Sequence, residues 1–382
     1  MSLTTLALTA GAQALAQDAL HVAVLLPMTA TEASTDSRSL ERQVLQAWER
    51  DRARQSLGVE VHVLEHEASV PATLAAAEEA VRDGAHLIVC CRDAETSRQV
   101  ASQTAEWGVP LLSLHPTSVR SAAGWHVAVG TEAAEELRAI IGDAYARGAR
   151  TFGMMMPAGP EGDALLARLP GYFGAPGMTL ATPARYEPGA SVLTPEALWV
   201  ATRLPDVVIA WGDGADPLTA LWGLRDRGWR GPVYLPSAVL PSLADRPAPP
   251  TTTGEVRTMA PPSSVWTFLP RSDPSYDAVL TARAWGAGRL ASNGALADGA
   301  RLHDALRLLD EALAPWTSAA WTGVSLDEVR LALADALTSL PALDLATGRY
   351  DPDPRIPAAG RAAGLRPVRI VNGRLQPLVT TP

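Results

Sequence analysis

The chain has 382 residues, a net charge of −9, 47% hydrophobic and 19% charged residues, and two cysteines. That length can bury a sizeable core and predicts two lobes, and the acidic balance without a basic patch argues against a nucleic-acid partner. Every basic residue other than histidine is arginine, which excludes Schiff-base chemistry on a lysine and the lysine-dependent phosphate loop.

Residues 2–18, SLTTLALTAGAQALAQD, look like the apolar part and small-residue cleavage site of a secretory signal, with Ala14-Leu15-Ala16 before the cut. No positive region precedes them, so they read either as a signal-peptide remnant over 1–16, which is the expectation, or as an alanine-rich tail. No other apolar run is long enough to span a bilayer. A compact strand, His21 to Leu26, ends at Pro27, and Asp36 and Ser37 are plausible caps for a helix reaching Arg54. Val59 to His66 reads as a second strand. Pro71 opens an alanine-rich helix that stops at Asp83-Gly84.

The next stretch, HLIVCCRDAETSRQVASQTAEWGVPLLSLHPTS over His86 to Ser118, organises the rest. Two apolar strands without alternation flank a helix, the pattern of a buried parallel sheet. In such sheets ligands collect at the carboxyl ends of the strands, here Cys90 to Thr96 and His115 to Ser118. Cys90 and Cys91 are neighbours and cannot staple distant segments, so buried strand thiols are expected.

The rhythm continues with a strand at Val127 to Gly130, a helix from Glu132 to Arg147, and a strand at Thr151 to Met156 ending in a loop, Pro157 to Gly162. Further strands are expected at Leu180 to Glu187, Asp206 to Trp211 and Pro232 to Pro236, with helices at Pro195 to Arg203 and Pro217 to Arg227. Arg246 to Thr253 reads as a surface connection. Val256 to Ala260 and Val265 to Phe268 are expected as short extended segments where the chain changes lobes. Helices over Tyr276 to Leu290, Ala300 to Leu313 and Ser325 to Leu340 follow. Pro367 to Leu378 is a hairpin candidate turning at Asn372-Gly373. Strands alternating with helices on this scale predict an α/β protein of two doubly wound, Rossmann-like lobes.

The order of these pieces resembles the type I periplasmic binding proteins, nearest to the branched-chain amino-acid (leucine/isoleucine/valine) receptors of ABC transporters. HVAVLLPMT, the His86 to Ser118 stretch, GPEGDALLARL, PDVVIAWGDGADPLTALWGLRDRGW, YDAVLTARAWG and GRYDPDP carry the likeness. The resemblance implies two lobes joined by three crossovers, with a solute bound in the cleft and released to a membrane permease of an ABC importer. It implies a discontinuous first lobe, 17–130 plus 256–345, and a second lobe, 131–255 plus 346–382. It also implies no catalysis and no cofactor or metal, a monomer, and an exported, periplasmic or extracellular location.

Where this branch holds the ligand carboxylate with a serine, the present turn is Arg92-Asp93-Ala94. Asp93 either sits at the carboxylate's place, where it would repel one, or caps the helix starting at Ala94, which is the preferred reading. The second loop, His115-Pro116-Thr117, keeps the hydroxyl of Thr117 and sets His115 where the family has a small residue. His115 is read as a donor to an anionic or carbonyl group, or as a packed loop histidine. Gly159 replaces an aromatic of the family in Gly159-Pro160-Glu161-Gly162. Trp211 is a candidate stacking wall or a core residue. The family's acidic partner for an ammonium falls near Ser237, which is not acidic, and Asp213 is the nearest substitute. These departures point away from an ordinary branched-chain amino acid.

Rival chemistries fit less well. Gly212-Asp213-Gly214 before a helix lacks the third glycine of a dinucleotide fingerprint, and its acids oppose a pyrophosphate. Ser113, His115 and Asp93 lack a nucleophile elbow for a hydrolytic triad. The alternative from another class is a cytoplasmic regulator of the same fold that senses an amide or amino acid.

Overall fold

The computed structural model describes residues 19–28, 32–52, 57–116, 125–243, 254–286, 293–317, 323–351 and 364–378. The expected leader 1–16, the connection 246–253 and Thr117 lie outside them.

The first sheet is wholly parallel. It contains β1 (Ala19–Met28), β2 (Gly58–Glu67), β3 (Leu87–Cys90), β4 (Leu111–Ser113) and β5 (His126–Ala128), in the order β2-β1-β3-β4-β5. Both faces of β1 are buried, which explains its unbroken apolar run. Val22, Val24 and Leu26 enter one cluster with Trp48, and Ala23 and Leu25 enter another with Ala77 and Val100. Burying each such aliphatic side chain contributes about 1.5–3 kcal/mol. The outer strand β2 is blunted by Glu60, Glu65 and Glu67, and charges of this kind discourage strand pairing with another chain.

The connecting helices are α1 (Glu32–Arg52), α2 (Val70–Arg82) and α3 (Ala94–Glu106). Pro71 stands in the first turn of α2 and Gly84, at φ 82°, follows its end, as the sequence signals predict, and Ser69 caps the helix.

The second sheet holds β6 (Thr151–Pro157), β7 (Thr179–Leu180), β8 (Ala184–Tyr186), β9 (Val207–Ala210), β10 (Val233–Leu235), β11 (Val256–Ala260), β14 (Arg366–Val371) and β15 (Arg374–Pro377). Its helices include α4 (Ala133–Ala146), α5 (Pro160–Arg168), α6 (Thr194–Ala201) and α7 (Asp216–Asp226). Phe152, Met154 and Met156 of β6 pack on α4, while Met155 faces the opposite cluster. Asn372 and Gly373, both at positive φ, turn the β14–β15 hairpin as expected.

Several segments differ from expectation. The segment 256–260, assigned from the sequence to the first lobe, forms β11 and pairs with β10 and β14 in the second sheet. The strand expected at 180–187 divides into β7 and β8, both pairing with β6. Pro262–Val265 winds as a 3-10 turn instead of leading into an extended piece. The expected loop 157–162 is cut short because Pro160, suited to a first helical turn, opens α5. Cys90 and Cys91 are bonded to each other rather than being thiols.

The chain leaves the first sheet after β5 and returns to that side after β11. On the way, α8 (Tyr276–Trp285) sets Val279 and Ala282 in the second-lobe core and Trp285 against the first, before α9 (Asn293–Leu313) and α10 (Leu326–Thr338). A small hairpin of β12 (Leu343–Leu345) and β13 (Gly348–Tyr350) packs Leu345 and Tyr350 into the first-lobe core, and β14 then lies in the second sheet. Helix α9 touches both sides, with Leu302, Leu306 and Leu309 in the first-lobe core and Ala300 in the other. Among the described residues no helix is long and apolar enough to cross a membrane.

Candidate functional site

The carboxyl ends of β4, β6, β9 and β10 converge with the first turns of α3, α4 and α5 on a cleft enclosing about 630 Å³, part of it open to solvent. Parallel strands aimed at one crevice from two sheets place loops, rather than packed core, on its walls.

On the first-lobe side the loop after β4 is held rigidly. The His115 carbonyl accepts from Ser97 Oγ at 2.8 Å and Ser113 Oγ at 3.0 Å. His115 Nδ1 lies 2.8 Å from the Pro116 carbonyl, which can only accept, so Nδ1 carries a proton. The ring's other nitrogen, Nε2, faces across the cleft to Asp213 Oδ1 at 3.9 Å. Arg301, from α9, also lines the cleft and pairs with Asp298 at 3.6 Å.

On the second-lobe side Trp211 is nearly buried, and Tyr186 Oη donates to its carbonyl at 2.5 Å. The next residue, Gly212, has φ 153°, and a Cβ there would come within 2.1 Å of that same hydroxyl. Glu136, in the first turn of α4, is fully buried and accepts from the Ser237 N–H at 2.5 Å and from Ser237 Oγ at 3.1 Å. Burial pushes its carboxyl up to about 7 against the pull of these hydrogen bonds and of Arg301, with Asp213 pushing further upward. The site thus offers an aromatic edge, a buried carboxyl and a guanidinium. Among the described residues no group of three or more His, Cys, Asp or Glu is arranged to hold a metal ion.

A family model described as periplasmic binding protein matches residues 19–351. The chain belongs to the periplasmic binding protein family, type I. No curated protein matches its sequence. Solved structures share the fold at low identity. An extracellular ligand-binding receptor from Rhodopseudomonas palustris has a TM-score of 0.75 at 15% identity, covering 94% of this chain and 99% of the other. A leucine-binding protein from Thermotoga maritima gives 0.67 at 14%, covering 94% and 97%. An ABC-transporter solute-binding protein from R. palustris, in complex with 4-hydroxybenzoate, gives 0.70 at 16%, covering 94% and 95%.

In this periplasmic binding protein Ala94, His115, Pro116, Trp211, Asp213 and Ser237 all line the cleft. Asp93 lines a different pocket, beside His66 and Arg92, and its carboxylate accepts from the Thr96 N–H at 2.8 Å as a helix cap. Gly159 is the residue before α5, at φ 100°, and the cleft wall there is made by Glu161 and Gly162 instead. Ser113 donates to the His115 carbonyl and contacts His126 Nε2 at 2.8 Å, which leaves no Ser–His–Asp relay with His115 and Asp93.

Sequence reasoning missed Glu136 and Arg301. The acidic group sought at Ser237 arrives from α4 and rests on Ser237, 101 residues away in sequence. Its only sequence signal is an acidic first helical turn, which many surface helices share.

Proposed function

We propose that this protein is an exported receptor that closes its two lobes over a small polar metabolite and presents it to the membrane permease of an ABC importer. The observation carrying this reading is the cleft itself, to which both lobes contribute strand ends and polar side chains. His115, Pro116 and the Ala94 end of α3 serve as the first-lobe contacts. Trp211, Asp213, Ser237 and Glu136 serve as the second-lobe contacts, and Trp211 offers an edge for an apolar or aromatic part of the solute. The ionised form of Glu136 accepts a donor group from the solute, and Arg301 takes an anionic group. No catalytic step is assigned, and the protein acts as a monomer.

A leucine-binding protein and a 4-hydroxybenzoate complex among proteins of this fold define the solute classes to try first. Thermal-shift screening of protein stripped of carried-over ligand, against amino acids, short-chain acids, amides and aromatic acids, tests the proposal. A true solute at about a hundred times its Kd stabilises by about 2.7 kcal/mol. Absence of a shift in every class contradicts a working receptor. Recovery of the mature protein from the cytosol with Met1 in place contradicts export and favours a sensing regulator.

A further inference from the structure

The first lobe carries a pocket of its own, which shares no lining residue with the interlobe cleft. It encloses about 790 Å³, part of it open to solvent, where the carboxyl ends of β1, β2 and β3 meet the starts of α2 and α3. Pro27 and His66, paired in register on β1 and β2, line it together with Cys91, Arg92 and Asp93 of the β3–α3 turn. Two of these residues hold a buried polar atom with nothing to bond. His66 is 8% exposed, and its Nδ1 lies 2.8 Å from the Glu67 carbonyl, which can only accept, so Nδ1 carries a proton. In the neutral ring Nε2 is then an acceptor, and it is buried with no hydrogen-bond partner among the described residues. Arg92 donates to Glu41 and lies 3.9 Å from Asp298 through its terminal nitrogens, while its Nε, also buried, has no such partner. Buried polar groups are normally satisfied, so each of these atoms needs a partner from outside the chain.

Charge decides the class of that partner. The Asp93 carboxylate, which accepts from the Thr96 N–H at 2.8 Å, opposes an anion, and the Arg92 guanidinium opposes a cation. A hydroxyl both donates and accepts, so a neutral polyhydroxyl compound serves an acceptor and a donor without burying a further charge. Pro27, Val70 and Cys91 add apolar surface for its C–H face. Cys91 holds φ 75°, uncommon for a residue with a side chain, and its bond to Cys90 closes no long loop. Backbone outliers of this sort cluster at ligand sites. We propose that this first-lobe pocket is a second binding site, for a neutral sugar or polyol. His66 Nε2 accepts from one hydroxyl, Arg92 Nε donates to another, and the Cys90–Cys91 turn forms an apolar wall. The site is separate from the interlobe receptor reading and needs no closure of the lobes.

Titration calorimetry of the full-length protein, stripped of carried-over ligand, tests the site with D-glucose, D-ribose and myo-inositol as probes. Acetate and putrescine are the charged controls. At least one neutral probe is expected to bind, and His66→Phe is expected to weaken it by about tenfold or more. Ala68 is exposed and lines the pocket, so Ala68→Trp obstructs it from outside the core and is expected to do the same. Circular dichroism checks the fold of both variants, and Ala68→Trp decides if His66→Phe misfolds. No binding of any neutral probe overturns the site and leaves water as the partner of the two atoms. Tighter binding of acetate or putrescine than of every neutral probe also overturns it. A sugar that binds both variants as it binds the native chain, and is lost in Trp211→Ala, occupies the interlobe cleft. That result overturns this site and leaves the receptor reading standing. Failure of the solute screen at the cleft, with a sugar lost in His66→Phe, does the reverse.

Discussion

Two buried carboxylates show how differently this fold uses one chemical group. Asp304, on α9, is completely buried, and its oxygens accept from the Ala346 N–H at 3.0 Å, the Thr347 N–H at 2.7 Å and Thr347 Oγ1 at 2.7 Å, with His303 Nδ1 at 3.0 Å. It ties the turn of the β12–β13 hairpin to the helix that touches both lobes. Glu136 is also buried, yet among the described residues only Ser237 donates hydrogen bonds to it, and burial dominates its ionisation. A carboxylate surrounded by donors is a structural lock, whereas one that lines a cleft with few donors has accepting capacity left for something that enters. The cost is borne by stability, as is common at binding sites.

The largest effect is expected at the lock. Asp304→Ala strands several buried donors and lowers stability in urea titrations by about 3 kcal/mol. A loss below about 1 kcal/mol would mean the β12–β13 turn is held by packing instead.

Glu136 sharpens the comparison from the other side. Its carboxyl is raised from 4.5 to about 7 in the folded protein, so the folded state holds the proton more tightly than the unfolded one between those values. Stability from this group therefore falls as pH rises from 4.5 to about 7, stays low above, and is unimpaired below. Glu136→Gln is expected to raise stability above pH 7, by on the order of 2 kcal/mol, and to change little below pH 4.5. The difference between variant and native melting curves is the useful readout, because His86 and His126, pushed down to about 4 by burial, oppose the trend. The same substitution is expected to weaken solute binding. A variant that is less stable at every pH would make Glu136 a second lock.

Trp211→Ala is expected to weaken the solute found by screening by about tenfold in calorimetry, and native affinity in the variant would remove this wall from the site. The smallest effect belongs to Asp93→Ala. Loss of its cap costs about 1 kcal/mol and leaves solute affinity unchanged. A fall in affinity would return Asp93 to the cleft.

Features governed by neighbours in sequence were legible in the chain. The Asn372-Gly373 turn, the Asp93 cap, the Pro71 start of α2 and the strand–helix rhythm depend on residues a few positions apart, and the structure keeps them. The capping box of Ser325 and Glu328 starts α10 where a helix was expected. Long-range partnerships were not legible. Nothing local tells β11 to pair with β10 rather than join the first sheet. Glu136 and Arg301 lie on helices whose periodic patterns reveal a buried face but not a shared cleft. The cleft loops lay between, because strand ends identify His115 and Trp211 while their partners across the gap come from the other lobe.

A crystal structure of the protein with the solute selected by screening tests the central claim most directly. The account predicts solute density between the lobes, in contact with Trp211, His115 and Glu136, with an anionic group toward Arg301. Density in the pocket beside Asp93 and His66, with the interlobe cleft empty, would contradict it.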